Sequence, residues 1–263
     1  MINNENYFSI ENNNKYMSVS QYKTFMDCEA RAMAELKGLW EQKKTTALLV
    51  GSYVDAHFEN SLDLFKAQNP EIFTLKGELR ADYKQAEEII QRIERDKLFM
   101  DYMAGEKQTI FTAELFGCEW KTKIDSYLED KIVDLKCMRS LDRIMGKSLV
   151  EHWGYDIQGA IYTEVEARVN KRKETLPFYL AIATKEPVTN LELVHIPDYQ
   201  LSDRLLEVGK NMPRILAVKR GETEPERCGV CDYCKSTKVL KKPILADDLG
   251  YSEKELKFMK GEI

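Results

Sequence analysis

The chain has 263 residues, 43% hydrophobic and 32% charged, with 39 basic against 44 acidic side chains and a net charge of −5. That length suits one domain with a substantial core; no apolar run approaches the ~20 residues of a membrane span, and the acidic, Asn-rich N-terminus lacks the pattern of a signal or transit peptide, so a cytoplasmic protein is expected. The acidic balance argues weakly against a general nucleic-acid coat, which carries a strong positive excess, and leaves open an enzyme that meets DNA in one local channel.

Residues 1–16 are polar and read as a flexible arm ahead of a domain over 17–224, with a cysteine-containing tail, 225–263, packed on it. Ser20 is a plausible N-cap for a helical pattern carrying Tyr22, Phe25, Met26 and Met33. A second helix is expected from about Thr46 to Leu62. A charged amphipathic helix over 80–103 buries Ile89, Ile90, Ile93 and Leu98. Gln108–Phe116 and Glu119–Tyr127 read as antiparallel strands joined at Gly117, and Lys131–Lys136 as a third. Tyr155–Val169 returns to helical periodicity, Phe178–Thr184 and Leu191–Ile196 are strands, and Tyr199–Val218 is a long helix before the tail. This order predicts an α/β fold, a sheet core flanked by helices.

The strand period places Asp134 and Lys136 on one face with Leu135 on the other, and gives Lys123, Asp125 and Tyr127 a common face in the same way. Alone, Asp-x-Lys is a common triplet and a charged hairpin is usually solvated. Here Ile132 and Val133 mark the strand as buried, and two carboxylates with an ammonium are costly to bury unless a divalent cation joins them. That is apparatus for metal-assisted phosphodiester hydrolysis. His57, on the second helix, offers an imidazole that can ligate a metal, although a lone helical histidine is more often structural. Gln158 and Tyr162, four apart, share a helix face suited to a phosphate or simply to solvent. Glu114 adds a carboxylate on the first strand, with a salt bridge as its ordinary role.

The order His57, Asp125, Asp134-x-Lys136, Gln158-x-x-x-Tyr162 resembles the RecB-type branch of the PD-(D/E)xK nuclease superfamily, and within it the RecE-like phage and prophage exonucleases related to lambda exonuclease. Ile124 stands where the superfamily's name puts proline. The resemblance implies a restriction-endonuclease-like core with a mixed central β-sheet. It implies Mg²⁺ or Mn²⁺, in a two-metal site, on His57, Asp125, Asp134 and the Leu135 carbonyl, with Glu114 as an outer or second-metal ligand. Lys136 would activate water and stabilise charge, and Gln158 and Tyr162 would position DNA. Such enzymes digest linear duplex DNA from the 5′ end as a ring-shaped homo-oligomer, leaving a 3′ strand for a single-strand annealing protein. A phage or prophage origin follows from the same likeness.

Cys228, Cys231 and Cys234 form C-x₂-C-x₂-C, a dense ligand pattern. With Cys28 they resemble the iron–sulfur nucleases of the AddB and CRISPR adaptation kinds, in which one N-terminal cysteine joins three C-terminal ones around a 4Fe–4S cluster, although the last pair is closer here. Zinc and free thiols are the alternatives. Cys118 and Cys137 read as small apolar fillers. Two other functions stand beside the exonuclease: an iron–sulfur nuclease processing single-stranded ends, and a non-catalytic DNA-binding module. The chain has no Walker-type loop and so no motor of its own.

Overall fold

The computed structural model of the chain describes residues 2–43, 45–240, 243–251, 253–259 and 261. Its helices are α1 (Ile10–Lys15), α2 (Val19–Asp27), α3 (Glu29–Leu36), α4 (Thr46–Phe58), α5 (Leu62–Gln68), α6 (Ala81–Glu94), α7 (Lys97–Tyr102), α8 (Leu149–Trp153), α9 (Tyr155–Asn170), α10 (Asp198–Lys219), α11 (Asp232–Ser236) and α12 (Glu253–Met259). The strands are β1 (Thr109–Leu115), β2 (Cys118–Ile124), β3 (Ser126–Tyr127), β4 (Ile132–Met138), β5 (Phe178–Thr184) and β6 (Leu191–Ile196). β1 and β2 form an antiparallel hairpin, and a mixed sheet runs in the order β3-β4-β5-β6, with β4 and β5 parallel. Among the described residues no helix is long and apolar enough to cross a membrane.

The alternation of β4 and β5 makes three layers. Val133, Leu135, Ala181 and Ala183 share a core with Tyr53 and Val54 of α4 and Ile89, Ile90 and Ile93 of α6. On the other face Ile132, Phe178, Leu180 and Ile182 pack with Ala160 of α9 and Leu201 of α10. A parallel pair needs a crossover connection, and α9 lies within it. α9 comes close because Gly159 has no side chain: a Cβ there would sit 2.6 Å from Phe178 Cδ1 and 2.9 Å from Leu201 Cδ2.

The expected elements are present, with differences: the strand expected over Glu119–Tyr127 divides at Asp125, the helix expected to reach Leu62 stops at Phe58, and Leu98, expected in a buried stripe, is 59% exposed. The first helix starts at the Ser18 cap rather than Ser20 and divides at Cys28, whose backbone is extended. The helix expected over 80–103 divides before Asp96, which caps α7 by accepting from the Phe99 N–H. The N-terminal segment is not a loose arm. Lys121 on β2 is 1% exposed, and its ammonium donates to the Tyr7 carbonyl and to Asn13 Oδ1, the latter at 2.7 Å. A buried charge left without acceptors is expensive, so this lysine ties down the segment before it. Met17 then pairs its backbone with β2, Met17 N donating to Glu119 O and Lys121 N to Met17 O, both at 2.8 Å.

Candidate active site

Asp134 and Lys136, two apart on β4, face α9 and sit in register with Leu180 and Ile182 of β5. Asp134 is 2% exposed and pairs through Oδ2 with the Lys136 ammonium, while Oδ1 accepts a 2.6 Å hydrogen bond from Gln158 Nε2. Asp125 lies in the bend between β2 and β3 rather than within a strand. Pairing of β3 with β4 stops at Ser126↔Val133, so the next inward-facing amide, Leu135 N–H, donates to Asp125 Oδ2 at 2.9 Å. Gln108 Nε2 donates to the other oxygen of Asp125 at 3.2 Å and to Glu59 Oε1 at 2.6 Å. Gln108 has φ +53°, a left-handed conformation uncommon outside glycine and worth noting beside a site.

These groups line a cleft of about 550 Å³. Asp55 enters it from α4 and Glu59 from the cap just after that helix, Lys23 from α2, Lys123 from β2 and Tyr162 from α9. Burial, reinforced by Asp125, pushes the Asp55 carboxyl well above the usual range. Burial and the charge of Asp134 push Asp125 up to about 7, against the pull of Lys136. Burial opposes the charge on Lys136, yet Asp134 and Asp125 hold its pKa above the ordinary value, so it is an ammonium at neutral pH. Burial and the same two acids raise Tyr162, which keeps its proton.

The chemistry of the donor set suits a divalent cation, although among the described residues only Cys28, Cys228, Cys231 and Cys234 form a group of three or more whose ligand atoms lie within 4.8 Å of one another. Four carboxylates meet in one cleft, and among the described residues Asp55 Oδ1 is sealed from solvent without a hydrogen-bond partner. Oxygen donors of this kind hold Mg²⁺, Mn²⁺ or Ca²⁺, and a cation would remove the repulsion that raises Asp55 and Asp125.

Of the residues singled out in the sequence, Asp125, Asp134, Lys136, Gln158 and Tyr162 converge here. Leu135 also borders the cleft, but its side chain is in the core, so only its backbone is available. His57 is a correction: its Nε2 lies 2.8 Å from Glu94 Oε1 of α6, on a different side of α4 from the cleft. Glu114 is a second correction. It pairs across from Glu119 while Thr109 pairs with Ile124, which puts it five residues, about 17 Å of strand, from the end near Asp125. Its side chain is exposed, and its carbonyl accepts from Arg168 at 2.9 Å. Tyr127 also leaves the face of Asp125, because the bend breaks the alternation; its hydroxyl donates to Glu166 at 2.7 Å.

Asp55, Glu59, Gln108 and Lys23 were not singled out. Ser52, Asp55 and the C-cap Glu59 form a polar i, i+3, i+7 stripe along a mostly apolar helix, a signal legible in the sequence. Nothing local marks Gln108.

The four cysteines form a separate site. Sγ atoms of Cys28, Cys228, Cys231 and Cys234 all lie within 4.8 Å of one another, with Cys28–Cys234 at 3.6 Å and Cys228–Cys234 at 3.9 Å. Backbone N–H groups aim at the sulfurs: Arg31 N at Cys28, Cys231 N at Cys228 and Cys234 N at Cys231, at 3.3 to 3.5 Å. Burial opposes the Cys228 thiolate, yet the N–H groups of Cys231 and Val230 bring it down to about 7, whereas burial pushes Cys231 up to about 12.

A protein-family model described as a PDDEXK-like domain of unknown function (DUF3799) matches residues 18–237. A crystal structure of a candidate exonuclease from Eubacterium rectale is 52% identical, with a TM-score of 0.91 over 95% of this chain and 98% of that one. The structure of the protein SSO0001 is 12% identical with a TM-score of 0.29 over 86% of this chain and 96% of that one, a likeness too slight to bear on the fold. Among curated proteins none matches.

Proposed function

We propose that this chain, which belongs to the PDDEXK-like family DUF3799, is a divalent-metal-dependent nuclease that hydrolyses DNA phosphodiesters in the cleft beside α9. The observation that carries this reading is the convergence of Asp55, Asp125 and Asp134 around the Lys136 ammonium, with a sealed carboxylate oxygen left unpaired. PDDEXK nucleases generally use divalent metals; here Asp55, Asp125 and Asp134 would hold the ion, with Glu59 beside them, and when bound it supplies Lewis-acid polarisation of the phosphate and a more acidic water.

The chain's own groups do the rest. Gln158 fixes one oxygen of Asp134, and Gln108 orients Asp125 and Glu59 together. Lys136, held as an ammonium, donates to charge that builds on the phosphate as the nucleophile attacks. Tyr162, still protonated, is a further donor, and Lys23 and Lys123 offset the charge of the incoming backbone.

Exonucleolytic cleavage of double-stranded DNA is the finer reading, supported by the 52% identical structure described as a candidate exonuclease. Digestion from 5′ to 3′, a ring-shaped oligomer and hand-over to an annealing protein rest on the likeness to RecE-like enzymes. Labelled linear duplex, covalently closed circular duplex and single strands, each with Mg²⁺ or Mn²⁺, test it. The expected outcome is release of mononucleotides or short products from the linear duplex, with the circle left intact. Nicked or linearised circles would replace the exonuclease with an endonuclease, and three intact substrates would refute the nuclease.

The thiols are proposed to hold a structural metal that ties the α2–α3 break to the C-terminal segment. A single tetrahedral ion with bonds of ~2.3 Å brings sulfurs to within about 4 Å of one another. The 3.6 and 3.9 Å separations favour that arrangement over a 4Fe–4S cluster, whose thiolates bind different irons and stand further apart. Metal analysis of the purified protein decides: about one zinc per chain in a colourless protein is expected, whereas iron with visible charge-transfer absorption would install the cluster instead.

A further inference from the structure

We propose that Phe8 is a stacking platform for a nucleobase of the strand whose phosphate enters the cleft, a role that rests on the nuclease reading above. Phe8 is 70% exposed, which for a lone surface aromatic would be ordinary. Its place is not ordinary: Phe8 and Tyr7 border the same cleft as Asp125, Asp134 and Lys136. The two rings meet edge to face, centroids 4.9 Å apart at 81°, and Tyr7 is 5% exposed, so the buried ring serves as a bracket for the open one.

The bracket is anchored. Lys121 holds the Tyr7 carbonyl and Asn13, and Lys219 donates to the Asn13 carbonyl at 3.2 Å. Ser9 caps α1 directly behind Phe8 by accepting from the Asn12 N–H. Lys123 Nζ stands 5.3 Å from the Phe8 ring centroid and 5.6 Å from that of Tyr7, and Lys123 also borders the cleft. One cation thus lies against the aromatic pair and within the cleft that holds the acids. That is the local order a nucleotide has: phosphate, then sugar, then a flat base with a π-face. Leu64 of α5, 59% exposed and bordering the same cleft, is a second apolar group available to the base. Stacking on aromatic side chains needs no particular base, so it suits an enzyme that must accept any sequence.

The test is steady-state digestion, with Mg²⁺, of short linear duplexes that are intact or carry an abasic site at each terminal nucleotide in turn. Wild type is compared with Phe8→Ala and Phe8→Trp. Base stacking of the usual strength predicts that Phe8→Ala raises KM on the intact duplex by roughly five- to hundredfold, with kcat held and Phe8→Trp near wild type. At one abasic position wild type and Phe8→Ala should become alike. Unchanged KM in Phe8→Ala, or an equal loss on every abasic duplex, overturns the stacking role while leaving the nuclease intact. A wild type that digests no duplex removes the nuclease reading and the platform with it. Because Phe8 is exposed, Phe8→Ala should melt with wild type; a lowered melting temperature shared by Phe8→Trp would also count against the proposal.

Discussion

On α4 His57 stands two positions after Asp55, and on a helix two positions are about 200° of rotation. His57 carries an imidazole that can ligate a metal, but the helical phase turns it to Glu94, whereas Asp55 and Glu59 line the cleft with Asp125 and Asp134. Asp55→Asn is therefore expected to lower kcat by about a hundredfold or more, the scale of a lost electrostatic contact at a reacting phosphate. His57→Ala should leave kcat within about threefold and cost under 1 kcal/mol of stability, since its pair with Glu94 is partly exposed. Initial rates on linear duplex and urea unfolding measure both; an inactive His57→Ala with normal stability would restore the histidine as a ligand. The places of Asp134, Lys136, Gln158 and Tyr162 in the cleft were legible because they depend on spacing within one strand or one helix. Asp55 needed the phase of α4 fixed against the sheet, and Gln108 needed a left-handed backbone that no neighbouring residue announces.

At the level of elements, α9 carries Gln158 and Tyr162 to the site only because it packs closely on β5. Gly159→Ala would place a methyl 2.6 Å from Phe178 Cδ1, so a loss of about 1–3 kcal/mol in urea unfolding is expected. Gln158 would move with the helix, and kcat should fall as well; unchanged stability and rate would show that the helix has slack. The strands were legible from their alternation, and β5 and β6 fall where the pattern put them. The N-terminal segment was not. Its composition is that of a loose arm, and its order depends on Lys121, 114 residues from Tyr7 in sequence. Deleting residues 2–16 removes the buried Tyr7 ring from the core and strips the cover and acceptors from Lys121, which should cost about 3 kcal/mol. A truncated protein as stable as the whole chain would return the segment to the status of an arm.

For the molecule as a whole, the clustered acids couple stability to pH and, on the proposed reading, to metal. Burial first, then Asp134, raises Asp125 to about 7, from an ordinary value of 3.8. Between those two values the native state keeps a proton that the unfolded chain has released. The acid's contribution to stability therefore falls as pH rises through that window and stays lost above it. Asp55, raised in the same direction, adds to the effect. The metal-free protein should melt lower at pH 7.5 than at pH 5.5, by roughly 5 °C. Added Mn²⁺ should raise the melting temperature more at pH 7.5 than at pH 5.5, because binding then displaces fewer protons. Asp125→Asn should flatten both trends, and a melting temperature insensitive to Mn²⁺ at either pH would argue against an ion among these carboxylates.

The central claim is that this acid cluster with Lys136 hydrolyses DNA with the help of a divalent ion. Its most direct measurement is digestion of end-labelled linear duplex DNA by the purified protein, with Mg²⁺ or Mn²⁺ and with EDTA, beside Asp134→Asn and Lys136→Ala. The predicted result is digestion by wild type, none in EDTA, and a loss of about a hundredfold or more in each variant. Intact DNA with wild type and metal, or digestion by either variant at the wild-type rate, would contradict it.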